Sequence, residues 1–255
     1  MITLLSPAKI QDFKLESTPV EATQPHFLDE AEKLVTEIRR MSMGNLGEML
    51  NINPELTRLN AERYGAWSLP FTEENAKPAV LVFNGEVYHG LDVRTLNSQA
   101  QQYLQKHLRL FSGLYGLLRP FDLIQPYRLD FGDSFKTKKG ESMYAFWSNK
   151  VTDELNKALK EASESKVVVN LASGEYMKSI RNKKLQAQIT DVEFLQTQHQ
   201  GYKNIVVYTK KARGMMARFI MEHEIEDPDH LKAFDDEGYM WNQHLSKKDK
   251  LVFTR

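Results

Sequence analysis

The stretch Val167-Val168-Val169-Asn170-Leu171-Ala172-Ser173-Gly174-Glu175 indicates the class of fold. Its run of β-branched apolar residues predicts a buried strand, and Ser173 stands where the N-cap of a following helix is expected. The same pattern of short apolar runs bounded by polar residues recurs along the chain. It predicts further strands at residues 2–5, 79–83, 205–208 and 251–253, with a weaker candidate at 189–195.

Apolar residues recur at helical spacing between these runs. The stripes predict helices at residues 27–38, 103–111 and 151–159, and Asn53 followed by Pro54 is typical of the start of a helix toward residue 67. Because strands and helices alternate in the second half, we expect an α/β or α+β fold with a mixed sheet flanked by helices. A single domain over residues 1–255 is predicted, and the alternative is two lobes that meet near residues 119–140.

The composition limits the classes of function. The 34 Lys and Arg residues balance the 34 Asp and Glu residues, so any contact with nucleic acid must come from a local basic patch. The absence of cysteine excludes disulfides, zinc fingers and cysteine-ligated iron–sulfur clusters, and it favours a cytoplasmic location. No run approaches about 18 consecutive apolar residues, so no membrane span is predicted.

The sequence has none of the standard catalytic motifs. It lacks the P-loop, the dinucleotide-binding glycine motif, the nucleophile elbow and the zinc-protease motif. Residues 221–238 are rich in carboxylates and contain two histidines, but no recognised ligand spacing is present, so this segment is interpreted as a solvated loop. The sequence therefore predicts no cofactor and no metal, and it leaves open whether the protein is an enzyme.

Polar segments follow four of the predicted strands, at residues 6–9, 84–86, 172–178 and 209–214. Ligands bind at the carboxyl ends of the strands in an α/β sheet. If these strands are parallel, the four segments meet on one rim that suits an anion. The rim would carry Ser6, Lys9, Ser173, Glu175, Tyr176, Lys178, Lys210, Lys211 and Arg213.

The last of these segments opens a predicted helix at about residue 211. Lys210, Lys211 and Arg213 crowd its expected N-terminus, an arrangement that the helix dipole disfavours by about 0.3–1 kcal/mol per charge. An anion bound at the helix N-terminus would explain these charges. The alternative is solvated surface charge with no function.

Several polar residues have both a structural and a functional interpretation. Ser173 is interpreted as a helix cap in preference to a nucleophile, and Asn84-Gly85 is typical of a hairpin turn between two strands. Tyr127 and Arg128 lie in a loop with little periodicity, where they could stack on bases and pair with phosphate. The structural alternative for the aromatic residues is burial in the core.

Two glycines, Gly113 and Gly116, permit a tight turn in an otherwise apolar stretch. Its backbone N–H groups, with Tyr115 and Arg119 beside them, could face a phosphate. Helix–hairpin–helix DNA readers use a similar glycine-containing hairpin. The alternative is an ordinary helix C-cap and turn.

Motifs in the same order along nearly the whole chain match one family. They are Leu5-Ser6-Pro7-Ala8-Lys9, Phe83-Asn84-Gly85-Glu86-Val87-Tyr88, Leu110-Phe111-Ser112-Gly113-Leu114-Tyr115-Gly116-Leu117-Leu118-Arg119-Pro120, Gln125-Pro126-Tyr127-Arg128-Leu129, Phe146-Trp147, Asn170-Leu171-Ala172-Ser173-Gly174-Glu175-Tyr176-Met177-Lys178, Lys210-Lys211-Ala212-Arg213-Gly214-Met215 and Gly238-Tyr239. On these motifs the sequence resembles the peroxide-stress protein YaaA family. The resemblance implies a cytoplasmic bacterial protein that limits free intracellular iron during peroxide stress. It also implies DNA binding by an unusual α/β fold with a basic cleft and a helix–hairpin–helix element.

Two hypotheses of function follow. The first is a DNA-binding stress protein that contacts phosphates without reading sequence, with duplex or structured DNA as its partner and no protein partner predicted. Its expected contact residues are Lys9, Gly113, Tyr115, Gly116, Arg119, Tyr127, Arg128, Lys178, Lys210, Lys211, Arg213 and Arg218. The alternative is an enzyme acting on a phosphorylated or nucleotide-like small molecule, because general acid–base and nucleophile side chains lie on the same rim. Its candidate catalytic residues are Ser6, Ser173, Glu175 and Tyr176.

Overall fold

The computed structural model describes residues 1–14, 21–136, 140–162, 165–199 and 201–255. Its strands in chain order are β1 (Ile2–Leu5), β2 (Ile10–Gln11), β3 (Lys77–Pro78), β4 (Phe83–Asn84), β5 (Leu108–Ser112), β6 (Gly116–Leu118), β7 (Leu123–Ile124), β8 (Val167–Asn170), β9 (Gln188–Gln198), β10 (Gly201–Lys203), β11 (Met240–Trp241) and β12 (Lys250–Thr254). The main sheet has the order β11-β12-β9-β8-β1-β5-β6, with β10 paired to β9. The pairs β2–β4 and β3–β7 form separate small sheets.

Helices connect and flank these strands. They are α1 (Leu28–Ile38), α2 (Met43–Leu50), α3 (Pro54–Ala66), α4 (Ala79–Val82), α5 (Glu86–Leu91), α6 (Ser98–His107), α7 (Met143–Trp147), α8 (Lys150–Ala162), α9 (Gly174–Met177) and α10 (Val206–Glu222). Within the described ranges, no helix is both long enough and apolar enough to cross a bilayer. The predicted helices at 27–38, 53–67 and 151–159 are confirmed as α1, α3 and α8.

The sheet is mixed in strand direction. β1 runs parallel to β5 on one side and to β8 on the other, and the parallel arrangement continues through β9 to β12. The outer strands β6 and β11 pair antiparallel with β5 and β12. This arrangement confirms the predicted α/β class with a mixed sheet flanked by helices, while the division into domains stays a prediction.

The apolar pattern of the sequence explains why β1 lies inside the sheet. All four of its residues are buried, and Ile2, Leu4 and Leu5 have no exposed surface. Full burial of such side chains contributes about 1.5–3 kcal/mol each. Helix α8 packs near β1 because Val151 and Leu155, one turn apart, lie on its buried face.

Two of the predicted strands are wrong. Residues 79–82 form helix α4, followed by the two-residue strand β4, and residues 206–208 form the first turn of α10. A short apolar run fits a buried strand and a buried helical turn equally well, so periodicity alone could not separate them. The predicted hairpin turn at Asn84-Gly85 is also wrong, because Gly85 is the N-cap of α5.

The glycine turn near residue 113 belongs to the main sheet. The predicted helix at 103–111 ends at His107, and the chain continues as β5, turns, and returns as β6. Gly116 has a φ of 73°, and its backbone packs against the Trp147 ring. The helix–hairpin–helix prediction at this position is therefore wrong, because the segment is a buried β-hairpin.

Candidate functional site

A pocket of about 450 Å³ lies beyond the carboxyl ends of β1 and β8. The four polar segments predicted to share a rim all contribute to its wall. The residues that line it are Ser6, Pro7, Ala8, Lys9, Ile10, Asn84, Gly85, Glu86, Val87, Tyr88, Ser173, Glu175, Tyr176, Lys210 and Arg213. The meeting of these segments is therefore confirmed, although only the first and third follow parallel strands of the main sheet.

Strand connectivity explains why a crevice forms between β1 and β8. After β1 the chain crosses to β5 on one side, whereas after β8 it crosses to β9 on the other side. The loops that leave these two strands therefore diverge and open a space at the sheet edge. In open α/β sheets ligands bind at this kind of topological switch point.

Close packing of α5 on α10 brings the other two segments to the pocket. A Cβ added to Gly90 would lie 2.2 Å from the carbonyl oxygen of Lys211, and one added to Gly214 would lie 1.8 Å from that of Val87. Only glycine permits so close a helix crossing. The crossing places Lys210 and Arg213 of α10 opposite the start of α5.

Among the described residues, three cationic side chains line the pocket. Lys9 is 63% exposed and its Nζ lies 3.3 Å from Oδ2 of Asp130. Lys210 is exposed, and among the described residues it has no ion pair within 4.0 Å. Arg213 is half-buried, and its buried Nε has no hydrogen-bond partner in the described part of the chain. Burial lowers the pKa of Arg213, and the charges of Glu193 and Asp191 partly oppose this effect.

Acidic and aromatic groups share the pocket with these cations. The Tyr176 hydroxyl donates a 2.5 Å hydrogen bond to Oδ1 of Asp130. Burial, followed by the charge of Asp130, raises the pKa of Tyr176 well above its usual range. Oε1 of Glu175 accepts a 3.0 Å hydrogen bond from the Gly132 N–H, and Glu86 also lines the wall. The pocket is thus mixed in charge, in contrast to the basic cleft that was expected.

The two serines do not form a nucleophile–base pair. The Ser173 N–H donates to Oγ of Ser6 at 2.9 Å, and the Tyr88 hydroxyl donates to the Ser6 carbonyl at 3.0 Å. Ser173 is the N-cap of α9, as predicted, but its hydroxyl makes no capping bond to that helix. The Ser173–Ser6 bond therefore joins the β8 loop to the β1 loop, and the Tyr88 bond joins the β1 loop to α5. No histidine lies in the described lining.

Four of the expected phosphate contacts lie in the core. Gly113, Tyr115 and Gly116 are buried in the β5–β6 hairpin, and Tyr127 is 2% exposed with its hydroxyl 2.7 Å from Oγ of Ser112. The prediction that they face DNA is wrong, because the apolar sequence around them packs inward. The structural alternative considered for the aromatic residues is correct.

Three further cations have partners away from the pocket. Arg119 pairs with the buried Asp122 at 2.9 Å, Arg218 donates to the Asp92 carbonyl at 3.0 Å, and Lys211 pairs with Glu237 at 2.5 Å. Because α10 begins at Val206, Lys210 and Lys211 lie in its second turn and not at its N-terminus. The expected anion site on the first N–H groups of this helix is therefore wrong.

Lys178 and Arg128 lie near the pocket without lining it. Lys178 is the exposed C-cap residue of α9, and Arg128 lines a small adjoining cavity together with Lys9 and Asp130. Sequence reasoning missed Asp130, whose bond to Tyr176 spans 46 positions. No local spacing signals so distant a pair. Among the described residues, no group of three or more His, Asp and Glu side chains is arranged to hold a metal ion.

Comparison with known proteins identifies the family. A family model described as "Peroxide stress protein YaaA" matches residues 1–245. The chain belongs to this family. A UPF0246 protein of Neisseria gonorrhoeae (strain ATCC 700825 / FA 1090) is 47% identical over 255 residues, which cover 100% of this chain and 98% of the relative. A UPF0246 protein of Burkholderia pseudomallei (strain 668) is 46% identical over 256 residues, with the same two coverages. The match confirms the resemblance of the motifs to the peroxide-stress protein YaaA family.

Proposed function

We propose that this protein binds DNA through sequence-independent phosphate contacts at the switch-point pocket, as part of a response to peroxide stress. The observation that carries the proposal is the pair of cations on α10. Lys210 and Arg213 reach the pocket, and neither is neutralised by an ion pair within the described residues. Cations without an ion-pair partner in the fold are the ones available to replace the counterions of DNA phosphates.

The protein's own charge pattern defines where DNA contacts can lie. Lys9 is mostly exposed despite its contact with Asp130, and Lys178 is exposed beside the pocket. With Lys210 and Arg213 they form a short set of cations at one edge of the sheet, in a chain whose net charge is zero. Such a set supports a few phosphate contacts and an affinity that falls steeply with salt.

Two adjacent lysines offer a matched test of this proposal. Lys210 lines the pocket, whereas Lys211 is paired with Glu237. Duplex DNA binding would be measured by fluorescence anisotropy over a salt series for Lys210→Ala and Lys211→Ala. We expect Lys210→Ala to reduce the slope of log K against log salt by about one unit, and Lys211→Ala to change it much less. Equal slopes for the two variants, or no DNA binding by the unmodified protein, would refute the proposal.

The second part of the proposal is that DNA binding helps limit free intracellular iron. Membership in the peroxide stress protein YaaA family supports a role in this stress. A strain that lacks the protein should accumulate more chelatable iron after peroxide exposure, measured by electron paramagnetic resonance of the chelated ferric ion. Wild-type protein should restore the lower level, and Lys210→Ala should restore less of it at equal abundance. If Lys210→Ala restored the low level of chelatable iron fully, iron control would not depend on these DNA contacts.

An enzyme acting on a phosphorylated or nucleotide-like small molecule is the second candidate. The observation that favours it is the size of the pocket, about 450 Å³, which falls in the range of about 300–1,000 Å³ common for small-molecule sites. The Tyr176–Asp130 hydrogen bond supplies a polar group that could take part in proton transfer. Turnover of a phosphoester or nucleoside panel with divalent metals supplied would support an enzyme, and its complete absence would count against one.

A further inference from the structure

The unsatisfied Nε of Arg213 is the first indication of a missing ligand group. This atom is buried and has no hydrogen-bond partner in the described chain. Native proteins rarely leave a buried donor without an acceptor, because the group has lost water and gained nothing in return. Arg213 lines the pocket, so its guanidinium lies beside any acceptor bound there, and a shift of this side chain toward that acceptor would give Nε its missing bond.

Lys210, which lies near Arg213 on the helix, indicates that the acceptor carries a negative charge. Lys210 lies three positions earlier on α10, so the two side chains share one helix face. Both line the pocket. An arginine fork beside a lysine suits a phosphate group, whose oxygens accept several hydrogen bonds and carry the opposite charge.

Two acidic residues of the pocket lining argue against a ligand that carries negative charge along its whole length. Glu86 and Glu175 line the same pocket, and they would repel a free inorganic anion. They would instead accept hydrogen bonds from hydroxyl or amino groups. Tyr88 and Tyr176 add mostly buried aromatic surface. A ligand with an anionic end, a donor-bearing middle and a flat apolar part fits all of these features.

We propose that the pocket binds a nucleoside 5′-phosphate, with its phosphate on Arg213 and Lys210 and its sugar or base donors on Glu175 and Glu86. This group occurs both as a free nucleotide and at the 5′-phosphorylated end of a DNA strand. Only the second source rests on the proposed DNA-binding function. The switch-point position of the pocket between β1 and β8 is independent of that function.

Calorimetric titration with dAMP tests the ligand class directly. We expect dAMP to bind the full-length protein more tightly than inorganic phosphate does. Arg213→Gln and Lys210→Ala should each weaken dAMP binding by about 10- to 100-fold, the range expected for hydrogen bonds to a charged group. Lys211→Ala, which alters the residue paired with Glu237, should stay within about twofold of wild type. No dAMP binding, or equal binding by Lys210→Ala and wild type, would overturn the inference.

If Arg213→Gln fails to fold, Lys210→Ala still tests the inference. Lys210 is exposed, so replacing it removes no buried contact. Anisotropy with one duplex, prepared with and without 5′-phosphates, separates the two sources. If dAMP binds, two outcomes are possible. Tighter binding of the phosphorylated duplex assigns the pocket to DNA strand ends, whereas equal binding of the two duplexes assigns it to free nucleotides. Binding of dAMP without any duplex binding would sustain this inference and refute the proposed function. Duplex binding without dAMP binding would refute this inference and leave the proposed function standing.

Discussion

Replacing Gly214 by alanine tests the helix crossing that builds the pocket. The new Cβ would lie 1.8 Å from the Val87 carbonyl oxygen and 2.7 Å from the Leu91 nitrogen, and both of these are backbone atoms. No side-chain rotation relieves such a contact, so α10 and α5 must move apart. Overpacking of this kind costs about 1–3 kcal/mol, and the better helix propensity of alanine offsets about 1 kcal/mol. Because a backbone contact of 1.8 Å belongs at the upper end of that range, we expect a net loss of about 2 kcal/mol in the free energy of unfolding.

Gly65 provides the matched control, since it is also a helical glycine but has no atom within 4 Å of its added Cβ. Gly65→Ala should therefore raise the free energy of unfolding by up to about 1 kcal/mol. Urea unfolding followed by circular dichroism, with unchanged m-values, measures both variants. Gly214→Ala should also weaken dAMP binding, because it displaces Lys210 and Arg213. If Gly214→Ala proved as stable as wild type, the close crossing of these helices would be refuted.

Three further outcomes are expected. Gly116→Ala should lower the thermal midpoint by several degrees, because the residue has a φ of 73° and its Cβ would lie 2.7 Å from the Trp147 ring; an unchanged midpoint would contradict this packing. Burial raises the pKa of Asp133 from 3.8 to about 6, so its ionisation weakens the fold as pH rises through about 6. Asp133→Asn should therefore gain stability over wild type at pH above about 7, by at most about 3 kcal/mol, with the gain vanishing below about pH 4 in urea unfolding. Tyr176→Phe should lose about 1.5–3 kcal/mol of unfolding free energy at neutral pH, because Asp130 loses a buried hydrogen bond; no loss would show that this bond is unimportant.

Most strands of the parallel core could be predicted from sequence, although β5 was interpreted as the end of a helix. The apolar runs that became β1, β8, β9 and β12 are bounded by polar residues, and that local pattern is enough to identify a buried strand. The sequence does not show strand direction, but if these strands are parallel, the polar loops after β1 and β8 lie at the same sheet edge and form pocket walls. On that condition Ser6, Glu175 and Tyr176 were predicted to be neighbours, and all three line the pocket.

Other parts depended on packing that local sequence does not encode. All four residues of α4 are buried, so the run shows no helical periodicity. The first turn of α10 was mispredicted for a different reason. Val206 is apolar and so was expected in a buried strand, but it is 64% exposed. The two segments still reached the pocket, since the Gly90–Gly214 crossing determines their position regardless of strand or helix.

Long-range partners explain the errors among the candidate contacts. Lys211 was expected to face phosphate, but Glu237, 26 positions away, holds it. Arg119 was expected to do the same, but it pairs with nearby Asp122 and donates to the carbonyl of Gln24, 95 positions away. Tyr127 was offered as a stacking residue, yet its hydroxyl bonds Ser112 inside the core. The sequence shows which residues are charged or aromatic, whereas the residues they contact are known only from the three-dimensional structure.

The most direct test of the central claim is a crystal structure of the protein with a short 5′-phosphorylated DNA duplex. We predict a phosphate within hydrogen-bonding distance, about 3 Å, of both Arg213 and Lys210, with the adjoining sugar or base against Glu175 and Glu86. The Nε of Arg213, unpartnered in the described chain, should then have an acceptor. DNA phosphates bound at another face, with no nucleotide group between β1 and β8, would contradict the claim.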